Sequence, residues 1–343
     1  GGFLEDKKLG YPDIENAYED DNGQIIVPHV DSRLIADQST MTSGAFLQYG
    51  FQWRAFSASL GGRYDHYLIQ DGSDISEDIA GDVFSPRITL KYDFSDNLQA
   101  RLNYSEGFRA PQIFDEDLHI ETSGSRKVIH RNAADLKQEE SQSLSASVDI
   151  HRRWGNATFE FLAEGFYTRL RNPFVNEFGS PDENGTVVYT RINGDKGAVV
   201  QGINFELNFA PFRELVFKSG FTMQTSRYEE EQAFSEKGFL RTPNDYGFFT
   251  LSYNATDSWG VSSTGTYTGT MKVPYFGTQL AHPEEGELRT SPRFIDMGTK
   301  IYYRTRLNGA SLRLNLGLKN AFNSYQNDFD NGIGRDPGYI YGP

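Results

Sequence analysis

Hydrophobic and polar residues alternate along most of this 343-residue chain. In residues 143–150 the even positions are apolar and the odd positions are serine or aspartate, and residues 312–319 repeat this division. Because successive side chains of a β-strand point to opposite faces of its sheet, a period of two predicts strands with one apolar and one polar face. The pattern predicts twelve strands, at about residues 42–53, 55–67, 84–94, 97–108, 141–153, 156–170, 199–210, 214–227, 245–255, 258–271, 293–306 and 309–322.

The connections between the predicted strands alternate between short turns and long polar loops. The long loops lie near residues 68–83, 109–140, 171–198, 228–244 and 272–292. In an antiparallel meander, alternate connections lie at opposite ends of the sheet, so all the long loops share one end. The predicted strands have about 10 to 14 residues, as a tilted membrane strand needs, whereas a soluble strand usually has about 5 to 6. We therefore predict an all-β, antiparallel transmembrane β-barrel with short periplasmic turns and long extracellular loops.

The composition excludes several classes of function. Lysine and arginine number 33 against 47 acidic residues, so the net charge of −14 excludes a nucleic-acid binder that relies on a basic surface. The absence of cysteine excludes disulfides, thiolate nucleophiles and cysteine-ligated metals. No G-x-S-x-G, H-E-x-x-H or Walker motif is present, so we do not expect an enzyme. Residues 1–40 hold nine acidic and three basic residues, and we interpret them as an acidic extracellular loop region.

Four segments resemble motifs of the TonB-dependent outer-membrane receptors. Residues 104–111 read Y-S-E-G-F-R-A-P and resemble the Y-S-x-G-F-R-A-P segment that ends a strand of that family. Residues 132–139 resemble the N-P-x-L-x-P-E element, although Ala133 and Gln138 replace its prolines. Residues 318–325 resemble V-x-N-L-F-x-x-x-Y, and residues 339–343 resemble the element before the final strand.

The resemblance implies a receptor in the outer membrane of a Gram-negative bacterium, surrounded by outer-membrane lipid. Such receptors typically have 22 strands and an N-terminal plug, and a TonB-type energy-transducing protein pulls on their N-terminal segment. On this interpretation residues 41–343 form about the C-terminal twelve strands, and the plug and the final strand are absent from this chain. The implied substrate is a scarce metal complex, with a ferric siderophore foremost and haem or cobalamin next, and no intrinsic cofactor is expected. The alternatives are a passive twelve-stranded porin and a soluble or surface carbohydrate-binding β protein.

Candidate ligand-binding residues lie in the long loop after the Phe-Arg-Ala-Pro segment. Carboxylates together with imidazoles can coordinate a metal or hydrogen-bond a metal chelate, although solvated loop residues have the same composition. In haem receptors of the family, a histidine between the first two motifs is the iron ligand. Arg109 either contributes to this site or pairs with a carboxylate such as Glu106. The candidates are Arg109, Asp115, Glu116, Asp117, His119, Glu121 and His130.

Aromatic residues near the predicted strand ends have a simpler interpretation. Rings at the boundary between hydrocarbon and water form girdles around membrane barrels. We predict such a girdle from Trp53, Trp154, Phe209, Trp259 and Tyr303.

Overall fold

The computed structural model describes residues 11–12, 18–19, 25–26, 29–30, 38–71, 78–111, 127–179, 186–275, 280–281 and 286–324. Twelve strands form one antiparallel sheet, in which each strand pairs with the next along the chain. They are β1 (Gln38–Trp53), β2 (Phe56–Asp71), β3 (Ile79–Ser95), β4 (Leu98–Arg109), β5 (Glu139–Trp154), β6 (Ala157–Arg171), β7 (Ala198–Phe212), β8 (Leu215–Tyr228), β9 (Asp245–Tyr253), β10 (Trp259–Thr268), β11 (Phe294–Leu307) and β12 (Ala310–Leu318). The twelve strands predicted from the alternation are confirmed.

The short connections lie at one end of the sheet, which we call the turn end, and the long connections lie at the other, the loop end. The turn between β11 and β12 shows how local sequence forms such a connection. Asn308 and Gly309 both have positive φ angles, of 50° and 83°. Two positive φ angles suit the right-handed twist of a two-residue hairpin, and Asn-Gly adopts them readily. The first and last strands are joined to the sheet along one side each.

Smaller elements lie at the loop end. A three-stranded loop sheet is formed by Lys127–Asn132, Phe174–Phe178 and Thr186–Asn193, with a parallel pairing between the first and the third. A loop hairpin is formed by Lys272–Tyr275 and Glu287–Thr290. Two-residue strands pair Tyr11–Pro12 with His29–Val30 and Tyr18–Glu19 with Ile25–Ile26, and Ala233–Ser235 forms a 3₁₀ turn.

The two faces of the large sheet differ in polarity. Paired residues of neighbouring strands have their side chains on the same face, so the register places the apolar residues of successive strands in continuous rows. Leu47 and Leu316 on this face are 80% and 78% exposed, which is far more than a soluble protein tolerates for so many large apolar side chains. We call this face the outer wall and the opposite, polar face the inner wall. Exposed outer-wall residues include Leu60, Ile88, Leu102, Leu144, Ile203, Phe221, Leu251 and Ile301.

The outer wall ends in aromatic residues at the turn end. The rings of Trp259 and Tyr303 lie 4.6 Å apart, and Phe159 lies 6.3 Å from Trp154 and 6.4 Å from Phe209. All five residues of the predicted girdle, including Trp53, are adjacent to or near the short turns and belong to the outer wall. Amphipathic rings at this position suit a boundary between hydrocarbon and water.

In the part of the chain that the structure describes, no helix has the length and apolar character needed to cross a membrane.

Candidate functional site

The inner wall is a network of polar side chains. Asn204 donates a hydrogen bond to Glu164 at 3.1 Å and accepts one from Thr222 at 2.9 Å. Further along, Asn208 donates to Glu160 at 2.9 Å, and His151 lies 3.3 Å from the same carboxyl group. Hydrogen-bonded carboxylates and amides are stable beside water or another polar surface and are costly in hydrocarbon. The inner wall is therefore suited to water or to another polar surface and not to hydrocarbon.

A small apolar core fixes the last residues of β4 at the loop end of the sheet. Phe108 and Ala110 pack against Tyr67, Ile69 and Val83 at the ends of β2 and β3, and all three of these residues are buried. The rings of Tyr67 and Phe108 stack with their centroids 5.9 Å apart, and the Tyr67 hydroxyl donates to Gln138 at 2.8 Å. This small core holds the segment that ends in Arg109.

Arg109 lies on the inner-wall face of β4, opposite to Phe108. Its guanidinium carbon is 5.0 Å from the centroid of the Phe174 ring, a distance typical of a cation–π contact. Glu139, the strand partner of Arg109, accepts a hydrogen bond from the backbone N–H of Phe174 at 3.1 Å. The end of the barrel wall is thus joined to the loop sheet through Phe174.

The loop sheet adds further hydrogen-bond donors beside Phe174. The register places Phe174, Arg191 and Asn132 on one face, because Phe174 pairs with Asn193 and Arg191 pairs with Asn132. The guanidinium carbon of Arg191 is 5.7 Å from the Phe174 centroid, and Arg191 is only 8% exposed. Asn132 is 6% exposed, and its Nδ2 has no hydrogen-bond acceptor among the described residues.

We call Arg109, Asn132, Phe174 and Arg191 the mouth cluster. Its three polar side chains contain two guanidinium groups and an amide N–H₂, and of these the Asn132 amide has a buried N–H without an acceptor among the described residues. A buried donor without an acceptor is energetically costly, and a ligand that supplies an acceptor would remove that cost. The mouth cluster is therefore suited to anionic oxygen atoms, such as carboxylate, phenolate or phosphate.

The other predicted site residues have different positions. Asp115, Glu116, Asp117, His119 and Glu121 lie outside the described residues, so their participation stays a prediction. His130 lies on the first strand of the loop sheet, where its backbone pairs with Tyr189, and its side chain lies outside the described part. Glu106 lies on the face of β4 opposite to Arg109, where it accepts hydrogen bonds from the Tyr104 hydroxyl and from Gln142.

The sequence did not indicate Arg191 or Asn132 as site residues. Asn132 belongs to a motif noted in the sequence, but nothing there indicates a ligand role. Arg191 is far from Arg109 along the chain and has no distinctive local pattern. Among the described residues, no group of three or more histidine, aspartate or glutamate side chains is arranged to hold a metal ion.

Ion pairs join further segments at the loop end. Lys272 of the loop hairpin pairs with Glu236, and Lys196 lies 2.9 Å from Glu230. The Lys272 ammonium and then the backbone N–H of Gly238 donate to the Glu236 carboxylate, and they hold its pKa below the ordinary value of 4.5. The first contact connects the segment between β8 and β9 with the segment between β10 and β11, and the second connects it with the segment between β6 and β7.

The lowered pKa of Glu236 predicts an acid-sensitive loop contact. A carboxyl group with a depressed folded-state pKa stabilises the fold fully above its unfolded value, and this contribution is lost as the pH falls through the folded value. The protection factors for amide hydrogen exchange of residues 236–241 and 272–275 in the full-length receptor, which are corrected for the intrinsic slowing of exchange in acid, should therefore be high at neutral pH. They should fall only below the ordinary carboxyl pKa of 4.5. Glu236→Gln should give low protection at every pH, and Glu214→Gln at the turn end should leave protection unchanged. Protection that stays high in acid would show that the ion pair contributes nothing.

Comparison with known proteins agrees with this geometry. The family model "TonB dependent receptor-like, beta-barrel" matches residues 5–321. The chain belongs to this family of TonB-dependent receptor barrels. The family consists of outer-membrane receptors, which agrees with the predicted localisation and with the expectation that the chain is not an enzyme. A search of curated protein sequences finds no match.

Solved structures of TonB-dependent receptors have the same fold as this receptor barrel. The FrpB iron transporter from Neisseria meningitidis is 15% identical with a TM-score of 0.61, over 88% of this chain and 44% of its own. FpvA from P. aeruginosa, bound to heterologous pyoverdines, is 17% identical with a TM-score of 0.63, over 89% of this chain and 38% of its own. The ferric-catecholate import receptor Fiu from E. coli K12 is 17% identical with a TM-score of 0.61, over 85% and 42% respectively. The chain spans less than half the length of each of these proteins.

Proposed function

We propose that this receptor barrel belongs to a TonB-dependent importer of a scarce metal complex, and that the complex is a ferric siderophore. Haem and cobalamin are the next substrate classes. The loops capture the complex at the loop end, a plug in the full-length receptor occludes the lumen, and a TonB-type energy-transducing protein drives release inward. Family membership supports the transport class, and three solved structures of the same fold are described as an iron transporter, a ferric-catecholate import receptor and FpvA bound to heterologous pyoverdines.

The mouth cluster is the single observation on which the choice of substrate rests. It gathers hydrogen-bond donors around an aromatic ring at the loop end, and its exposed member is Arg109, through which we expect an entering substrate to reach it. Ferric siderophores present anionic oxygens at their surface, and guanidinium groups bind such oxygens through charge-assisted hydrogen bonds. Cobalamin presents mainly neutral amides and gains less from these donors.

The loop candidates belong to the same proposal as a second set of contacts. Asp115, Glu116, Asp117, His119 and Glu121 precede the loop sheet in the sequence, and His130 lies on its first strand. If His119 or His130 contacted the substrate, haem would be favoured over a siderophore, because imidazole is the usual axial ligand of haem iron.

The proposal is tested by uptake into cells that produce the full-length receptor. Uptake of ferric siderophores, haem and cobalamin is measured for the unmodified receptor and for Arg109→Gln. Loss of one charge-assisted hydrogen bond costs about 1.5–3 kcal/mol, so siderophore affinity should fall about tenfold or more. Arg213→Gln removes the same charge at the turn end and should leave affinity unchanged. If Arg109→Gln bound every imported complex with unchanged affinity, the mouth cluster would not be part of the binding site.

A combined Asp115→Ala, Asp117→Ala and His119→Ala variant tests the loop candidates separately. If these residues bind haem, the variant should lose haem uptake and keep siderophore uptake. Failure of the unmodified, surface-exposed receptor to import any of the three complexes would contradict the proposed substrate class itself.

A further inference from the structure

An open apolar groove of about 890 Å³ lies on the outer wall across β4 to β9. Its floor contains the small residues Ala146 and Gly165, which are paired neighbours on β5 and β6. Its sides are formed by larger residues, among them Leu102, Leu144, Tyr167 and Ile203. These side chains belong to the apolar rows that face the surroundings of the barrel, so the groove opens toward the membrane and not toward the lumen.

Gly165 differs from the other glycines of the outer wall. A Cβ added at Gly62, Gly247 or Gly265 would meet the ring of a neighbouring phenylalanine at 2.8, 2.8 and 2.3 Å respectively. Those three glycines therefore accommodate an aromatic ring of the protein itself. A Cβ added at Gly165 would meet no atom within 4 Å. The space above Gly165 is thus available to a molecule from outside the chain.

The upper end of the groove is polar and basic. Gln201 and Thr225 pair with each other and line the groove toward the loop end. In the next row, Arg169 and Arg227 both pair with Val199, and both arginines are exposed or partly exposed to the surroundings. Arg169 and Arg227 follow the groove-lining residues Tyr167 and Thr225 by two positions, a distance of about 6.6 Å along each strand. Their guanidinium groups therefore lie within reach of the headgroup of a lipid whose acyl chain occupies the groove.

Acidic groups also face this basic row. The Glu229 carboxyl lies 3.5 Å from the Arg169 guanidinium, and Asp245 at the side of the groove accepts a hydrogen bond from Tyr267 at 2.5 Å. Arg171, two residues further toward the loops on the same face, donates to Gln142. Asp245 and Glu229 are thus engaged by neighbouring groups of the protein.

We propose that the groove binds one acyl chain of an anionic, phosphate-bearing lipid, whose phosphate contacts Arg169 and Arg227. The chemistry of the site fits such a lipid, because the apolar groove leads to two cations at the level where the sheet meets the loops. A chain of net charge −14 repels anionic lipids in general, so such a lipid would be held at this basic position rather than at random around the barrel. This site lies on the opposite face of the sheet from the mouth cluster and does not depend on the proposed substrate.

Native mass spectrometry of the full-length receptor, purified in mild detergent, tests the proposal. Phosphatidylglycerol is the probe, and phosphatidylethanolamine with identical acyl chains is the zwitterionic match. The unmodified receptor should retain one phosphatidylglycerol more tightly than phosphatidylethanolamine. Gly165→Leu, which fills the floor of the groove without a backbone clash, should reduce the retained lipid about tenfold, as should Arg169→Gln combined with Arg227→Gln.

Two further variants serve as controls for the lipid measurement. Ala45→Leu places the same side chain on the exposed outer wall of β1, and Arg213→Gln removes one positive charge at the turn end. Both should bind phosphatidylglycerol like the unmodified receptor. Equal retention by all variants, or equal retention of the two lipids, would overturn the proposal. The arginine variants decide the question alone if Gly165→Leu does not fold.

Discussion

Replacing Phe205 with lysine should lower the free energy of unfolding by about 2–4 kcal/mol, the cost of a basic side chain at the lipid-facing middle of a barrel strand. Phe205 lies on the outer wall of β7, where it pairs with Ala163 and Phe221. Its ring lies 6.3 Å from that of Phe161, within an apolar row. The substitution removes this contact and brings an ammonium group into hydrocarbon, where no water can solvate it.

Glu206→Lys is the matched control, because it introduces the same side chain one position along the strand. Glu206 is exposed on the inner wall, where a charged side chain meets water. Its replacement should change the free energy of unfolding by no more than about 0.5 kcal/mol. The measurement is a denaturant titration of the full-length receptor in phospholipid vesicles. If the two variants were equally stable, the assignment of the outer wall to lipid would be wrong.

Replacing Gly202 with alanine should lower the free energy of unfolding by about 1–3 kcal/mol, the usual cost of overpacking. A Cβ at Gly202 would lie 2.3 Å from the carbonyl oxygen of Met223 and 2.9 Å from the Cα of Gln224. Both atoms belong to the backbone of β8, so they cannot move away without disturbing the pairing of β7 with β8. The Phe166 ring, 2.8 Å from the same position, would also have to shift.

Gly165→Ala provides the comparison for this prediction. Gly165 pairs with Ile203, the residue next to Gly202, but an added Cβ there meets no atom within 4 Å. This variant should therefore be within about 0.5 kcal/mol of the unmodified receptor. Thermal unfolding of both variants in the same detergent gives the comparison. Similar losses at the two positions would indicate a general glycine effect and would contradict the steric explanation.

The candidate site was only partly accessible to sequence reasoning. Arg109 could be selected because it lies in a recognisable motif at the end of a strand. Arg191 and Asn132 could not, since they are brought together by the parallel pairing of Lys127–Asn132 with Thr186–Asn193 inside the loops. That pairing joins segments about 60 residues apart, and no local alternation or spacing indicates it. The expected pairing of Arg109 with Glu106 was wrong, because residues three apart on one strand have their side chains on opposite faces of the sheet.

The amino-acid sequence alone determined the twelve strands, the turn end and the division between apolar and polar faces. These features are local, because a period of two and a short turn depend only on neighbouring residues. Only the tertiary structure decided how the ends of the strands meet the loops. The core around Tyr67 and Phe108, the mouth cluster and the groove above Gly165 each depend on residues brought together from separate strands. Their positions follow from the strand register and the packing between segments, which the alternation within one strand does not specify.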